Sequence, residues 1–446
     1  MSSDLLAIAR SGTRAARAAL DVTAQNIANA STEGYVRRST QVAEVAVSGT
    51  IGGVGTTSLS GVRVSGIARN ADAFRQAEVR RTGSDAARST AEVDGLESIE
   101  AAVEKSGVYD ASVAFEGSLK QLAADPTDGS LRASVLESGR ALADTLNLTA
   151  KSLDAAGEGL RFEAQDGVSQ VNLLTGELAK VNNRLARAAN STSDQSSLLD
   201  QRDTLLQKLS GHVDITTTFA ADKSVEVRIG GATGPQLVSG NTAGALAMTT
   251  AANGTIGFTL DGAAVIPAGG ELAGKSQALI QLGETRGALD TVAAGVIAAV
   301  NGAQSSGVDL QGEPGEALFS GTGAADIAVV GTATGAKIAT APAGSVAGSR
   351  DGANLTAIRN ALTAANPSGG LDAALFDVSS AVAGRTLTRD ALASIADSAA
   401  GALQAQAGVD LDTEAVNLVR FQQAFSASGR VIQVANDLFD TILGIR

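Results

Sequence analysis

The sequence predicts a mainly α-helical, multidomain protein with a smaller β-rich domain, an α+β architecture. Three observations support this fold class. Apolar residues recur at helical spacing at both ends of the chain, leucines form a long seam in its middle, and the pattern changes to period-2 alternation after His212. A chain of 446 residues is long enough for two or more domains.

The composition also favours long helices. Hydrophobic residues make up 44% and charged residues 18%, a balance typical of folded proteins, but aromatic residues are only 3%. Glycine and alanine are abundant, and such small residues bury little area each while letting backbones approach closely. Stability therefore has to come from extended contacts, as between long packed helices.

The first predicted element is a helix from Ser3 to about Asn29. The segment ASTEGYVRR then ends it, and residues 40–69 alternate around glycines, which predicts short strands or extended connections. The large apolar residues of the helix fall on one broad stripe: Leu5, Leu6, Ile8, Leu20, Val22 and Ile27.

The interior reads as helical up to residue 211. A polar helix is predicted over about 71–105, and Leu146, Leu153 and Leu160 then fall seven apart. Spacings of three and four continue this seam to Leu185, which predicts a helical hairpin or bundle closed by the segment LLDQRDTLLQKL.

Residues 212–275 alternate apolar and polar between glycines and predict a compact β-rich domain. Helix is predicted again from residue 276 to about 301. A loop-rich region covers about 302–350, and helical texture then continues to about Leu403.

The last segment has the strongest periodicity in the chain. Its a positions and d positions run over four heptads and predict a coiled-coil helix. The two terminal helices should pair, while their surplus apolar surface implies contacts between subunits. The a positions are Leu418, Phe425, Ile432 and Phe439, and the d positions are Phe421, Ser428, Ala435 and Ile442.

Charge and hydropathy exclude several classes of partner. A net charge of −13 disfavours nucleic acid and anionic membrane surfaces. No apolar run reaches the ~20 residues that span a bilayer, and the start of the chain lacks the pattern of a cleaved secretory signal. By these ordinary signals the chain is expected to be cytoplasmic.

The sequence predicts no catalytic, cofactor-binding or metal-binding residue. The single histidine, His212, has no partner histidine or cysteine nearby in sequence, and cysteine is absent. DLDTEA at 410–415 lacks the glycine of a calcium loop and reads as a helix cap, while the acidic residues of 309–316 read as a surface turn. A phosphate-binding loop motif is missing too.

The two ends of the chain carry a resemblance. QNIANASTEGYVRR resembles the N-terminal signature of flagellar rod, hook and hook-associated proteins, and the matching positions are Asn26, Ile27, Asn29, Thr32, Gly34 and Tyr35. NLVRFQQ and FDTILGIR near the C-terminus are similar to the FlgK family of hook-associated proteins, as are GVRVSGIARNADAFRQAEVRR and VNGAQSSGVDLQGEPGEALF in the interior. The chain is thereby identified as a member of that axial family.

This resemblance implies a non-enzymatic structural protein of the bacterial flagellum, part of the ring that joins hook and filament. It implies type III export without a cleaved signal peptide, which replaces the cytoplasmic expectation with an extracellular one. The implied partners are further copies of the chain, the hook protein, a second hook-associated protein on the filament side, and an export chaperone on the C-terminal helix.

The resemblance also implies a domain plan. Residues 1–35 with 412–446 would form the inner tube, 36–211 with 276–411 a mainly helical middle domain, and 212–275 a small β-rich outer domain. The residues expected at the assembly interface are Leu5, Leu6, Ile8, Leu20, Val22, Asn26, Ile27, Asn29, Gly34, Tyr35, Leu418, Phe421, Phe425, Ile432, Ala435, Phe439 and Ile442.

Two alternatives remain open. A flagellar hook or distal-rod protein would share the terminal signature, but the long helical middle argues against it. A secreted coiled-coil adhesin would have similar end helices without needing the matched signatures.

Overall fold

The computed structural model describes residues 2–51, 54–190 and 192–444. Helices dominate this part of the chain, and the longest of them has 57 residues. In chain order the helices are α1 (Ser2–Ala28), α2 (Ala73–Glu104), α3 (Val108–Leu122), α4 (Gly129–Leu185), α5 (Ser193–His212), α6 (Gly270–Gln304), α7 (Ala353–Ala365), α8 (Pro367–Ala407) and α9 (Leu411–Gly444).

The strands form small sheets between these helices. β1 pairs with β2, β3 to β6 form a four-stranded sheet, β7 to β9 a three-stranded one, β10 pairs with β13, and β11 pairs with β12. Their bounds are β1 (Arg38–Ile51), β2 (Val54–Arg69), β3 (Ile215–Phe219), β4 (Val225–Ile229), β5 (Gln236–Ser239), β6 (Thr242–Ala243), β7 (Leu246–Thr250), β8 (Ile256–Leu260), β9 (Ala263–Val265), β10 (Gly307–Val308), β11 (Phe319–Ser320), β12 (Ala328–Val329) and β13 (Ala341–Pro342).

The structure confirms the predicted fold class, mainly helical with smaller sheets. The predicted leucine seam lies on α4, and Leu146, Leu153 and Leu160 are each at most 7% exposed. The same seam continues to Leu185, which packs with Leu198 of the closing helix α5. A seven-residue apolar repeat therefore located the buried side of the longest helix correctly.

Residues 40–69 differ from the prediction of short strands or extended connections. β1 and β2 form one long antiparallel hairpin that begins with the pair Arg38 and Arg69. The register shifts between Gln41 and Val42, and again between Glu44 and Ala46. A β-bulge interrupts the strict alternation of inward and outward residues from which a long strand is predicted.

The chain divides into two compact units. Unit 1 comprises Met1–Ser84, Gln170–Leu246 and Ala393–Arg446. It contains α1, α9, the β1–β2 hairpin, α5 and the four-stranded sheet. The apolar side chains of strands β4 and β5 are all buried. Asn182 of α4 ties this sheet to the helices, since its amide donates to the carbonyls of Val225 and Gly240, both at 2.8 Å.

Unit 2 comprises Asp85–Ser169 and Ala247–Leu392. Its core lies between α4, α3 and α6, with Phe115 and Phe319 in an edge-to-face contact at 5.7 Å between ring centroids. Arg132 is 1% exposed and holds the loop that follows β12, because its guanidinium donates to the carbonyls of Gly335 and Ile338.

The β-rich region 212–275 forms two sheets that belong to different units. The sheet β3 to β6 lies in unit 1, where Arg202 of α5 donates to the carbonyl of Lys223, whereas β8 and β9 lie in unit 2. The chain between these sheets is short, since β6 ends at Ala243 and β7 begins at Leu246. The three-part domain plan, which concerns the assembled protein, stays a prediction.

Candidate functional site

The candidate site is the terminal helix pair, α1 with α9, together with the polar residues at its base. The two helices run antiparallel, since Gly12 faces Ser428 and Asn26 faces Glu414. A Cβ at Gly12 would lie 2.9 Å from the Ser428 hydroxyl oxygen, so the helices approach closely here. Small buried residues of α1, such as Ala16, permit this approach along the rest of the pair.

The predicted interface residues fall into three groups in the isolated chain. Val22, Asn26 and Ala435 are buried, so contacts within the chain already cover them. Leu6, Leu20, Asn29, Tyr35, Leu418, Phe421 and Ile432 are half-buried, whereas Leu5, Ile8, Ile27, Gly34, Phe425 and Phe439 are exposed. The side chain of Ile442 lies outside the described residues.

The exposed apolar surface of the pair is wider than the heptad stripe predicted. Phe425 is 40% and Phe439 53% exposed, although both occupy a positions. Further exposed apolar residues of α9 lie outside the a and d positions: Val416, Val419, Val431, Val434 and Leu438. Counting apolar residues around the whole helix, instead of only at a and d, would have found them, because a helix apolar on several faces needs more than one neighbour.

A group of buried polar residues, here called the polar joint, lies at the base of the pair. Its members are Asn26, Tyr35, Arg37, Arg38, Arg69, Asp200, Arg202, Asp203 and Glu414.

Asn26 is the centre of the polar joint and is 1% exposed. Its amide nitrogen donates to the carbonyl of Arg38 at 2.9 Å and to Glu414 Oε2 at 3.2 Å. Its amide oxygen accepts from the hydroxyl of Tyr35 at 2.9 Å and from the backbone N–H of Arg38 at 3.0 Å. Both donors and both acceptor sites of the amide are therefore used, which few other side chains of this size could do.

Glu414 connects the start of α9 to the segment that follows α1. Its side chain is 1% exposed, and Arg37 Nε donates to Oε1 at 2.7 Å. The backbone N–H of Arg37 also donates to the carbonyl of Ala407, the last residue of α8. A carboxylate this deeply buried is stable only because a cation and an amide compensate it.

The exit from α1 depends on a glycine. Gly34 has φ +75°, a left-handed conformation that L-residues rarely adopt, and a Cβ there would lie 2.1 Å from Thr204 Oγ1. Asn29 behaves differently from Asn26, because its amide donates to the carbonyl of Gln25 within α1 at 2.9 Å. The two asparagines of the signature thus do different work, one in the joint and one at the helix end.

Tyr35 is a half-buried member of the joint. The guanidinium of Arg38 lies 4.8 Å from its ring centroid, a cation–π distance. Burial raises the pKa of the Tyr35 hydroxyl, and the nearby Arg38 only partly offsets that effect. The hydroxyl therefore stays protonated at neutral pH and donates to Asn26.

The far side of the joint is an alternating row of arginines and aspartates. Arg38 and Arg69 both pair with Asp200, at 2.8 and 2.7 Å, and Arg69 also reaches Asp203 at 2.9 Å. Burial raises the pKa of Asp200, but the two guanidinium groups still favour its charged form. Burial would raise the pKa of Asp203 too, yet Arg202 and Arg69 together hold it below its usual value.

This row was not predicted from the sequence, because its two halves, Arg38 with Arg69 and the three charged residues of α5, lie more than a hundred residues apart. The signal available in the sequence was the run of charges in the leucine-containing segment LLDQRDTLLQKL, where Asp200, Arg202 and Asp203 follow each other closely. Charged residues on a helix that is otherwise packed indicate a buried partner elsewhere in the chain.

The joint is a network of hydrogen bonds and ion pairs between distant parts of the chain. Within the described residues, no group of three or more His, Cys, Asp or Glu side chains is placed to hold a metal ion. Across the same ranges, every helix is too short or too polar to cross a bilayer.

Comparison with known proteins assigns the chain to a family. Residues 93–319 match the family model of the flagellar hook-associated protein FlgK helical domain. Residues 6–35 match the flagella basal body rod protein model, and residues 399–445 match the flagellar basal body rod FlgEFG protein C-terminal model.

Individual relatives agree with these matches. Flagellar hook-associated protein 1 of Bacillus subtilis (strain 168) is 26% identical over 98% of this chain and 97% of that protein. The Escherichia coli (strain K12) protein of the same name is 27% identical over a match that covers 71% of this chain and 60% of that protein.

A solved structure, the flagellar hook junction protein FlgK from Burkholderia pseudomallei, has a TM-score of 0.48 and 23% identity over 55% of this chain and 46% of that one. The resemblance noted in the sequence is thus confirmed by the family model. The FlgK helical-domain model matches residues 93–319, about half of this chain. The chain therefore belongs to the FlgK family of flagellar hook-associated proteins.

Proposed function

We propose that this protein is a structural, non-enzymatic subunit of the ring that joins the flagellar hook to the filament. The observation that carries the proposal is the exposed apolar surface of the terminal helix pair. Val434 is 56% and Leu5 44% exposed, although both belong to helices whose other faces are packed. Burying one such side chain fully stabilises an assembly by about 1.5–3 kcal/mol, so several of them favour association strongly.

Further copies of the chain are the proposed first occupants of this surface. The exposed apolar residues lie on both helices of the pair, which suits a closed ring in which each pair contacts its neighbours. The hook protein would contact the ring on one side and a second hook-associated protein on the filament side. Before assembly, an export chaperone would cover the C-terminal helix α9.

The polar joint supports the same proposal. It ties α1, the β1–β2 hairpin, α5 and α9 together through buried hydrogen bonds, so the helix pair has one orientation within unit 1. We infer that α1 and α9 form the inner tube and that type III export delivers the chain to the extracellular flagellum without a cleaved signal peptide.

The two alternative functions, a hook or distal-rod protein and a secreted adhesin, lead to different expectations. A hook or distal-rod protein would share the terminal matches at 6–35 and 399–445, but the helical domain over 93–319 favours a hook-associated protein. A secreted adhesin would bind its target with the terminal helices removed. The experiment below separates both from a junction protein.

The test uses two substitutions on the exposed face of α9, Val434→Asp and Phe439→Asp, in cells that otherwise lack the protein. Because both side chains are largely exposed in the isolated chain, the variants should fold, be exported and fail to join filaments to hooks. Filament subunits should then appear in the medium, as they should after deletion of residues 415–446.

The matched control is Leu148→Asp, an apolar residue 62% exposed on α4 in unit 2. This control should leave filaments attached. Attached filaments in the Val434→Asp and Phe439→Asp cells, or after the deletion, would contradict the proposed function.

A further inference from the structure

A cavity of about 400 Å³ lies in unit 1 beside the polar joint. Its walls come from the loop after α1, from Gln76 and Arg80 of α2, and from Thr204 and Gln207 of α5. The carboxylates of Glu33 and Asp203 also line it, and α8 closes another side with residues such as Leu403. Neither the family assignment nor the proposed junction role gives this cavity a purpose, and the inference below does not depend on that role.

Arg80 is the unusual residue of this cavity. It is 6% exposed, yet its only hydrogen bond among the described residues runs from Nη2 to Thr217 Oγ1 at 3.4 Å. That distance is long for a hydrogen bond, and a guanidinium has five N–H donors to satisfy. Within the described ranges, no carboxylate oxygen lies within 4.0 Å of its nitrogens. Burial lowers the pKa of Arg80, as expected for a cation without a close anion.

The nearest carboxylate is already fully used. Asp203 accepts from Arg202 Nε and Nη2 through one oxygen, and from Arg69 Nη2 and Gln76 Nε2 through the other. Each contact measures between 2.7 and 2.9 Å. Asp203 therefore has little capacity left for Arg80, and Coulomb attraction across a longer distance is all that it provides.

Arg80 is the one buried guanidinium next to the polar joint that lacks a close carboxylate among the described residues. Three other buried guanidinium groups pair with two aspartates, and of these six groups only Arg80 and Asp203 line the cavity, together with Glu33. Burying a charge without a close partner is costly, so a carboxylate placed directly against the Arg80 guanidinium would relieve that cost. The groups are Arg38, Arg69, Arg80 and Arg202 on one side and Asp200 and Asp203 on the other.

We propose that this cavity is a binding site for a carboxylate, which pairs with the guanidinium of Arg80. A planar guanidinium can donate two parallel N–H bonds to a carboxylate, and the Thr204 hydroxyl and the Gln207 amide are further polar groups of the wall. The carboxylate comes from an acidic side chain of a second copy of the chain or from a small free acid. Glu33, an exposed carboxylate at the cavity, repels the ligand and keeps its affinity modest.

The test titrates the full-length protein with succinate by calorimetry, with sodium chloride at equal ionic strength as the reference. Succinate should bind with one site per chain, and Arg80→Gln should weaken that binding about tenfold or more, since hydrogen bonds to charged groups are lost. Arg187→Gln removes an exposed arginine at the end of α4 and should leave binding unchanged. Glu33→Gln should strengthen binding severalfold, and this holds even if Arg80→Gln does not fold.

A second measurement separates the two sources of the carboxylate. Sedimentation of the wild type and of Arg80→Gln over a range of protein concentrations shows whether the arginine promotes self-association. Weaker association of Arg80→Gln assigns the carboxylate to a second copy, and unchanged association assigns it to a free acid. Absence of any succinate binding by the wild type, or equal binding by Arg80→Gln, overturns the proposal.

Discussion

Replacing Asn26 by alanine tests the polar joint at its centre. The substitution removes an amide that makes four hydrogen bonds of 2.9 to 3.2 Å and is 1% exposed. It leaves the hydroxyl of Tyr35, the backbone of Arg38 and one oxygen of Glu414 short of a partner. Alanine preserves the helical backbone at the end of α1, so the loss comes from the joint and not from helix propensity.

The expected cost follows from the contacts. An intramolecular hydrogen bond contributes about 0.5–1.5 kcal/mol net, so four of them bound the loss between about 2 and 6 kcal/mol. Water can enter the space left by the amide and satisfy part of the freed groups, which favours the lower half of that range. We expect Asn26→Ala to reduce the free energy of unfolding of unit 1 by about 3 kcal/mol.

The chain offers a convenient assay, because it has two tyrosines and no tryptophan. Tyr35 lies in unit 1 and Tyr109 in unit 2, so a Tyr109→Phe background leaves Tyr35 as the only strong fluorophore. Urea unfolding followed by that fluorescence reports on unit 1, and a shift of the midpoint at constant slope measures the change in stability.

Asn29→Ala is the matched control, since among the described residues the Asn29 amide bonds only to Gln25 and Thr32. It should cost less than about 0.5 kcal/mol, the usual effect of a surface substitution. A loss for Asn26→Ala no larger than that for Asn29→Ala would refute the assignment of Asn26 to a buried joint.

Two further predictions concern the exits from the joint. Gly34→Ala should destabilise unit 1 by about 1–3 kcal/mol, because the φ of Gly34 is +75° and the new Cβ would meet Thr204. Adding Thr204→Ala removes the collision but not the backbone strain, so it should recover only part of the loss. The same urea midpoints measure both changes. Asp410 caps the start of α9, and the Thr413 hydroxyl and the Asp412 N–H, which donate to its carboxylate, lower its pKa below the usual value for an aspartate. The contribution of Asp410 to the stability of α9 should therefore be present above about pH 4 and lost as the pH falls through the pKa of the folded state. Amide exchange in the first turn of α9 should become faster over that range. An unchanged exchange rate would contradict the prediction.

The sequence predicted those features that depend on local periodicity. The seam through Leu146, Leu153 and Leu160 predicted a buried helix face, because seven-residue spacing returns to the same side of a helix. The predicted pairing of the terminal helices holds in this structure, with Asn26 opposite Glu414.

The features that sequence analysis missed depend on distant residues. Arg38 and Asp200 are 162 positions apart, and no period or motif links them. The same holds for Glu414, read as one of several acidic residues favourable at a helix start, whereas its side chain is 1% exposed and pairs with Arg37. The length of the β1–β2 hairpin was missed for another reason, since bulges interrupt the alternation of inward and outward residues.

The joint also explains how a helix pair with small, similar side chains along its contact can have a fixed register. Among the described side chains of α1, three of the six buried ones are alanines, and a smooth surface of small residues packs almost as well after a slide along the partner helix. Such a slide would break the hydrogen bond between Asn26 and Glu414 and leave one donor of the amide and one carboxylate oxygen buried without a partner, at a cost of about 1–3 kcal/mol for each group. Buried polar pairs are the best-attested means of fixing register in coiled coils. In the ring we propose, every subunit has to present Val434, Phe439 and Leu5 at the same height, so the register set by the joint determines whether neighbouring helix pairs can meet.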